Sequence, residues 1–510
     1  MNGTNIAIMV TMFVYLAMMI GIGIYFSRRN KSSDDFYLGG RKLGTLVTAM
    51  SAEASDMSSW LLMGLPGVAL LSGTAEAGWT AIGLAVGTWL NWLIVSNRIR
   101  IYSDKINAVT IPDFFSKRFH DNQNILTCIA AIVIIVFFIP YTASGFNACG
   151  TLFSSLFGVD YFTAMIISAI VITLYTTLGG FLAASTTDFI QSIVMTIALI
   201  VVLSFGINAA GGWGNVVENA KALPGYLSMT QGYDVTTGGT TPYGALTIAS
   251  TMAWGLGYFG MPHILLRFMA IKDVKKLKTS RRVATIWVVI SMAVAVIIGI
   301  VGYAMTQNGV LETMTTSTES QRIIVRIADL ISQHGVLAAI VAGVILSGIL
   351  AATMSTADSQ LLAAASSVSQ NLIQDTFRIK VSKKAGVIIA RISVILIAVI
   401  GMIWAREEGS VFTIVSFAWA GFGAAFGPVM LCALFWKRTT KWGALAGMIV
   451  GGAMVFIWKY AIAPIGGILA IYELLPAFIC GLIAIIVVSL LTKKPEKAII
   501  DEFEAVQKAI

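Results

Sequence analysis

The sequence predicts an all-α polytopic membrane protein of about 13 transmembrane helices, two of them broken near their middle. Three observations carry this. The 510 residues are 57% hydrophobic and only 12% charged, with a mean hydropathy of +0.84, far from the composition of an ordinary soluble domain. Apolar runs of roughly 18–25 residues, each long enough to cross a bilayer, recur from end to end. Two of these runs hold clusters of polar residues, or of glycine and proline, that a lipid-facing helix would not tolerate.

The same composition excludes several classes. A formal net charge of +9, from 34 Lys and Arg against 25 Asp and Glu, would suggest nucleic acid in a soluble chain. Here the excess has a simpler source in the loops on one side of the membrane, so the bilayer is the expected partner and nucleic acid is not. The 4 cysteines, Cys128, Cys149, Cys432 and Cys480, lie in apolar segments without metal-ligand spacing and read as small core residues. The first apolar run lacks a basic leader and a small-residue cleavage site, so it reads as a span and not a removable signal. No loop is large enough for a catalytic or sensory domain, and no obligatory protein partner is evident.

In chain order the spans lie near 6–26, 45–71, 74–96, 124–155, 161–182, 188–208, 242–270, 280–305, 336–357, 385–405, 410–436, 440–462 and 468–492. A polar linker with Pro112 and Asp113 joins the third to the fourth. Basic residues cluster in alternate loops. Arg28, Arg29, Lys31, Arg41 and Lys42 follow the first span, and Arg98, Arg100 and Lys105 the third. Lys272, Lys275, Lys276, Lys278, Arg281 and Arg282 follow the seventh. Arg378, Lys380, Lys383 and Lys384 follow the ninth, Lys437, Arg438 and Lys441 the eleventh, and Lys493, Lys494 and Lys497 begin the tail. The intervening loops are poor in them; 211–241 has only Lys221. The positive-inside rule then puts the N-terminus outside and the tail 493–510 in the cytoplasm. Segment 320–335 is amphipathic, with Ile323, Ile324, Ile327, Leu330 and Ile331 on one face. It is expected to lie as a short outer helix on the bundle, its Arg322 and Arg326 being exceptions to the charge rule.

Span two reads AMSAEASDMSSWLLMGLP over 49–66. Two carboxylates, Glu53 and Asp56, and four hydroxyls sit at membrane depth, costing several kcal/mol unless they face protein, water or an ion. Serine and aspartate also compete for the backbone there. The expectation is a helix broken near its middle, with carbonyls and N–H groups free for a ligand. A polar seam gluing the span to its neighbours is the plainer alternative, which the charge of Asp56 disfavours.

Span seven reads TMAWGLGYFGMPHILLRF over 251–268. Gly255, Gly257 and Gly260 crowd its middle beside Trp254 and Tyr258, with Pro262 and His263 following. Close packing explains a single glycine; three with a proline favour a break. The two broken spans lie five apart and run in opposite directions, the sequence pointer to an inverted-repeat secondary transporter. Spans two to six (45–208) and seven to eleven (242–436) would be the repeats. Span one (6–26) and the last two (440–492) would be peripheral, in a single domain covering 1–510.

Span nine carries LAATMSTADSQ over 350–360. Ser355 and Thr356, beside carbonyls from a broken helix, would make a neutral oxygen cage suited to a hard monovalent cation. Asp358 and Ser359 add to this cluster. Asp188, at the inner start of span six, fits either a helix cap or a carboxylate on an ion path.

SAEASDMSSWLLMGLPG, WGLGYFGMPHILLRFMA, AATMST and FAWAGFGAAFGPVMLCALFWKRTTKWGALAGM resemble the sodium:solute symporter family, most closely its bacterial sodium/proline symporters. The resemblance spans nearly the whole chain, including LGGRKLG before span two and LGGFLAASTTD after span five. It implies a five-plus-five inverted-repeat core in a bacterial cytoplasmic membrane and sodium-coupled uptake of L-proline, with sodium as coupling ion, no other cofactor and no enzymatic activity. It implies a sodium site of the carbonyls of Ala54, Met57 and Ala352 with the hydroxyls of Ser355 and Thr356. Asp56 is the acidic residue the family links to sodium, with Ser58 beside it. Tyr141, Trp254, Tyr258 and Pro262 match positions linked to proline. Glu53 stands where a small residue is usual, Ser59 where glycine is common, and Met261 where a polar residue is common; Asp358 replaces a hydroxyl or apolar residue.

The chemistry of the residues agrees with a small zwitterion. A carboxylate could meet N–H groups at the start of the second half of span two, near Ser58 and Ser59. An ammonium and a compact ring suit a box of Trp254, Tyr258 and Tyr141. Within this class another small organic solute, such as a sugar acid or vitamin, is the alternative cargo. A channel is the alternative class, although a continuous pore has no need of two opposed broken helices. A membrane enzyme ranks third, its acid-base candidate His263 lacking metal partners in sequence.

Overall fold

The computed structural model describes residues 3–27 and 33–509; Arg28, Arg29 and Lys31 of the first basic loop lie outside them. Among the described residues ten helices are long and apolar enough to cross a membrane, from the first near the N-terminus to Leu474–Leu491. Neither stretch read as broken is among the ten. The structure shows why.

Span two is helical over Thr45–Ser59, turns wide over Trp60–Gly64 and resumes over Leu65–Ser72. The break is one residue, Ser58, at φ 48° and ψ −174°. That region is populated almost only by glycine and costs a serine roughly 1–3 kcal/mol. Span seven breaks differently. Ala245–Met252 ends in tight 3-10 turns over Ala253–Phe259, Met261 is extended, and Pro262–Ala270 starts afresh with its proline in the first turn, where no N–H is missed. Its glycines serve close approach as well as the break. A Cβ on Gly87 of span three would lie 2.4 Å from Gly255, and one on Gly257 would lie 2.0 Å from the Trp419 indole nitrogen. The start of span two meets the end of span seven: the Leu43 N–H donates to Ala270 O at 3.1 Å and the Lys272 N–H donates to Leu43 O at 3.0 Å, a single parallel bridge.

Three boundaries differ from expectation. Spans five and six are not separated at 183–187; one helical run, Tyr161–Ala209, carries both and bends at Gly180 (φ 70°, ψ −175°). The bend is sharp enough for the Tyr175 hydroxyl to hydrogen-bond Thr187 across it. Span nine does not stop at 357 but continues over Val336–Ser366 and in wider turns over Ser367–Thr376, because Leu361 to Ala365 are buried against protein. The tail is not free chain: Lys497–Ala509 is a helix that buries Ile499, Phe503 and Val506.

The elements between the spans are short. The 211–241 loop holds a helix, Trp213–Ala222, and most of an unanticipated hairpin of Gln231–Asp234 with Gly239–Pro242. The amphipathic segment is as expected: Ile323–Ser332 buries Ile323, Ile324, Ile327 and Ile331, with Leu330 half-buried. Ahead of it Thr316 and Glu319 form a capping box, whose backbone N–H bonds hold the Glu319 carboxyl below its usual range. Arg322 breaks the charge rule because Glu408 neutralises it at 2.6 Å.

Candidate functional site

The break in span two lies against the middle of span nine. Ser355 Oγ donates to Ala54 O at 2.7 Å and contacts Ala352 O at 3.1 Å; Thr356 Oγ1 donates to Ala352 O at 3.2 Å. Four of the five oxygen donors read from the sequence thus meet in one buried, uncharged cluster contributed by two helices. The fifth, Met57 O, sits on the same break and accepts the Trp60 N–H. Such a set presents hard oxygens and no permanent charge, which suits a monovalent cation.

One turn away Asp56 is almost fully buried. Its Oδ2 accepts the Tyr258 hydroxyl at 2.5 Å, and its main-chain oxygen accepts Tyr141 at 3.2 Å. Asp56, Tyr141 and Trp254, with Trp60 and Trp419, line a nearly closed cavity of about 10 Å³, room for about one water. Around Trp254 the rings of Trp60, Phe412 and Tyr472 stand 5.5, 5.4 and 5.2 Å away. Trp419 donates to Trp254 O at 2.7 Å and meets Tyr258 edge-on at 5.2 Å. Ser58 Oγ accepts the Trp60 N–H at 3.1 Å. That N–H, expected to greet a carboxylate, is therefore taken within the chain. Ser59 Oγ and Trp60 Nε1, both buried without a hydrogen-bond partner among the described residues, are open polar groups here. Pro262 starts the second half of span seven, and His263 behind it packs against Phe138 at 5.7 Å.

A second polar centre lies next to the oxygen cluster and carries charge. Arg267 and Asp188, both at most 1% exposed, pair at 3.1 Å. Ser51 donates to the same carboxylate oxygen at 2.6 Å, and Arg267 reaches Ser51 at 3.0 Å, His263 O at 2.9 Å and Ser359 Oγ at 2.5 Å. Ser359 Oγ in turn bonds Ser355 O at 3.0 Å and Asp358 Oδ1 at 3.2 Å. This knot joins spans two, six, seven and nine. The cap reading of Asp188 fails: it lies inside the second arm of the bent helix, and its carboxylate is held by Arg267 and Ser51. Asp188 Oδ1 and Asp358 Oδ2 are buried with no hydrogen-bond partner among the described residues. Glu53 is tied to span three, accepting from Trp92 Nε1 at 2.8 Å and Thr88 Oγ1 at 3.1 Å.

Sequence reasoning missed Arg267, Ser51, Trp60, Trp419, Phe412 and Tyr472. Arg267 had a signal, since an arginine within an apolar span is expensive without a buried partner. The rings had none, because their convergence depends on how distant spans pack.

Opposed broken helices, an uncharged oxygen cluster between two helices and a small aromatic cavity beside it define a secondary transporter of the broken-helix kind. The chain belongs to the sodium:solute symporter family, whose profile matches residues 36–451. It is 43% identical over 493 residues to the high-affinity proline transporter PutP of Bacillus subtilis, covering 96% of this chain and 99% of that one. It is 42% identical over 499 residues to the sodium/proline symporter of Escherichia coli, covering 97% and 95%. Among solved structures, a Na+-coupled sialic acid symporter in its substrate-bound outward-open state shares the fold, with TM-score 0.78 and 18% identity over 96% of this chain and 99% of that chain. Mhp1, a nucleobase-cation-symport-1 family transporter, shares it more distantly, with TM-score 0.53, 15% identity, and 93% and 95% covered.

Proposed function

We propose that this protein couples sodium to the uptake of L-proline by alternating access. The observation that carries the reading is the bond from Ser355 of span nine to Ala54 O at the break of span two, one turn from Asp56 and its aromatic cavity. The names of the relatives supply the cargo and the ion. Sodium is held by the carbonyls of Ala54, Met57 and Ala352 and the hydroxyls of Ser355 and Thr356, with Asp56 and Ser58 alongside. It bridges the two helices, so it favours the arrangement that brings them together. Proline lies against Tyr141, Trp254 and Tyr258, near Pro262, with Ser58 and Ser59 at its polar end, in a cavity that widens from its present volume of about 10 Å³ to admit it. Because it completes the same arrangement, each ligand raises the affinity for the other. Asp188 and Asp358 act on the ion through the Arg267 knot.

The repeats are 45–208 and 242–436, flanked by 6–26 and 440–492, within a 13-span topology whose N-terminus is outside and whose C-terminal tail is in the cytoplasm. The membrane is the bacterial cytoplasmic membrane. Labelled L-proline should accumulate in proteoliposomes under an inward sodium gradient. Equal uptake under potassium alone would remove the coupling, and counterflow by a different solute in preference to proline would replace the cargo.

A further inference from the structure

Away from this site, a groove of about 780 Å³ opens where span three meets the start of span eight. Trp92, Leu93 and Ile101 line one side, and the rim is cationic, with Lys275, Lys278 and Arg281. Among the described residues none of these three cations forms an ion pair. The first turn of Leu277–Gln307, beside them, holds no acidic residue. Asn97, also in the groove, has a buried side-chain oxygen with no hydrogen-bond partner among the described residues.

The apolar lining does not end at the groove. From Leu93, the exposed residues Trp89 and Val86 continue along span three at helical spacing. Along span eight the exposed Val289, about three turns on from Lys278, lies on its face, with Ile286 and Ile290 beside it. Two apolar stretches therefore run into the exposed apolar surface from three cations that form no ion pair among the described residues, although the Asp273 carboxylate accepts the Lys275 N–H at 2.9 Å. A second cleft, lined by Asp113, Asp121, Lys117 and Lys441, has no such surplus, because Lys117 pairs with Asp113 at 2.9 Å and Lys441 with Asp121 at 3.3 Å.

The geometry points to a binding site for one anionic phospholipid, its phosphate on Lys275, Lys278 and Arg281 and its acyl chains along the two stretches. A neutral lipid leaves the cations unmatched, and a soluble anion leaves the apolar walls unmatched. The site requires only that the chain is embedded in a bilayer, whatever solute it carries.

The test uses the full-length protein in phosphatidylcholine nanodiscs containing a minor fraction of phosphatidylglycerol, with retained lipid read by native mass spectrometry. The parent should retain one phosphatidylglycerol in preference to phosphatidylcholine. Replacing Lys275, Lys278 and Arg281 together by Gln should lower that preference about a hundredfold, and Lys278→Gln alone about fivefold. Removing equal charge at Lys493, Lys494 and Lys497 should leave it unchanged. Thermal unfolding in pure phosphatidylcholine establishes that the variants fold, and the single variant carries the test if the triple does not. Retention by the Lys278→Gln variant equal to the parent, or equal retention of both lipids by the parent, overturns the site. Displacement of the lipid by inorganic phosphate makes it a soluble-anion site and overturns the lipid assignment.

Discussion

Ser58 and Gly180 put the same backbone turn into two different helices. Their angles agree within about 22° (φ 48° and 70°, ψ −174° and −175°), yet one turn is made by a serine and the other by glycine, which needs no compensation there. Just before Ser58, Ala54 O meets Ser355, which lies beside Thr356 and Ala352 O in a cluster with no charge of its own. Beyond Gly180 the chain leads to Asp188, which pairs with Arg267, while Phe181 lies under the guanidinium at 5.1 Å. The relaxed turn builds a centre that carries its own cation. The strained turn adjoins one that is uncharged, its carbonyls accepting only hydroxyl and N–H groups. In the proposed function the strain therefore sits where a bound cation can repay it.

The largest effect should come from unbalancing the charged centre. Arg267→Gln leaves Asp188 buried without its cation and should lower stability by about 3–5 kcal/mol, read by thermal unfolding in detergent. Arg267→Met combined with Asp188→Leu should cost less than Arg267→Gln alone. If the double change is the worse one, the pair is a net stabiliser and not merely a matched set. Next comes the neutral centre. Thr356→Val keeps the shape and removes the oxygen, so the sodium needed for half-maximal proline binding should rise by about 1–3 kcal/mol, or five- to hundredfold. Thr356→Ser should be mild. Equilibrium proline binding across a sodium titration reads both, and a parental titration by Thr356→Val would move the ion elsewhere. In the same assay Asp56→Asn, which can still accept from Tyr258, should lose more sodium affinity than Asp56→Glu. Equal behaviour would make Asp56 a hydrogen-bond acceptor only.

The turns themselves separate by sign. Gly180→Ala places a Cβ at positive φ and should cost about 1–2 kcal/mol. Ser58→Gly relieves that strain but forfeits the bond from the Trp60 N–H, so stability should change by less than about 1 kcal/mol, toward a gain. A loss as large as that of Gly180→Ala would show that the serine turn is not strained.

Much of this was legible in the chain. Polar density at membrane depth marked the break in span two, and glycine with proline marked the one in span seven. The adjacent Ser355 and Thr356 were legible because few lone hydroxyls occur side by side in a lipid-facing helix. The Gly180 bend was not, since the pair Gly179 and Gly180 gives no sign of direction, and 183–187 looked equally like a gap. The true length of span nine was hidden because 366–374, SSVSQNLIQ, is mostly polar yet buried or half-buried. The tail helix was hidden because its apolar residues are spaced for a surface that other parts of the chain supply. The stack around Trp254 draws on spans two, seven and eleven and on Tyr472, just ahead of the helix Leu474–Leu491 of span thirteen, and no local pattern encodes such a meeting.

The glycine contact between spans three and seven has a consequence for biogenesis. Neither broken helix is among the ten apolar enough to enter a bilayer by length and composition. A carboxylate at a helix centre opposes insertion by about 2.5–3.5 kcal/mol, and span two carries both Glu53 and Asp56. Span three follows at once in synthesis and brings Thr88 and Trp92, the donors that hold Glu53. The face around Gly83 and Gly87 meets the backbone of Met252 and Gly255 too closely for any Cβ. Span three thus serves both broken helices: its polar side chains satisfy the carboxylate of the first, and its bare glycine face gives the second a slot the width of a backbone.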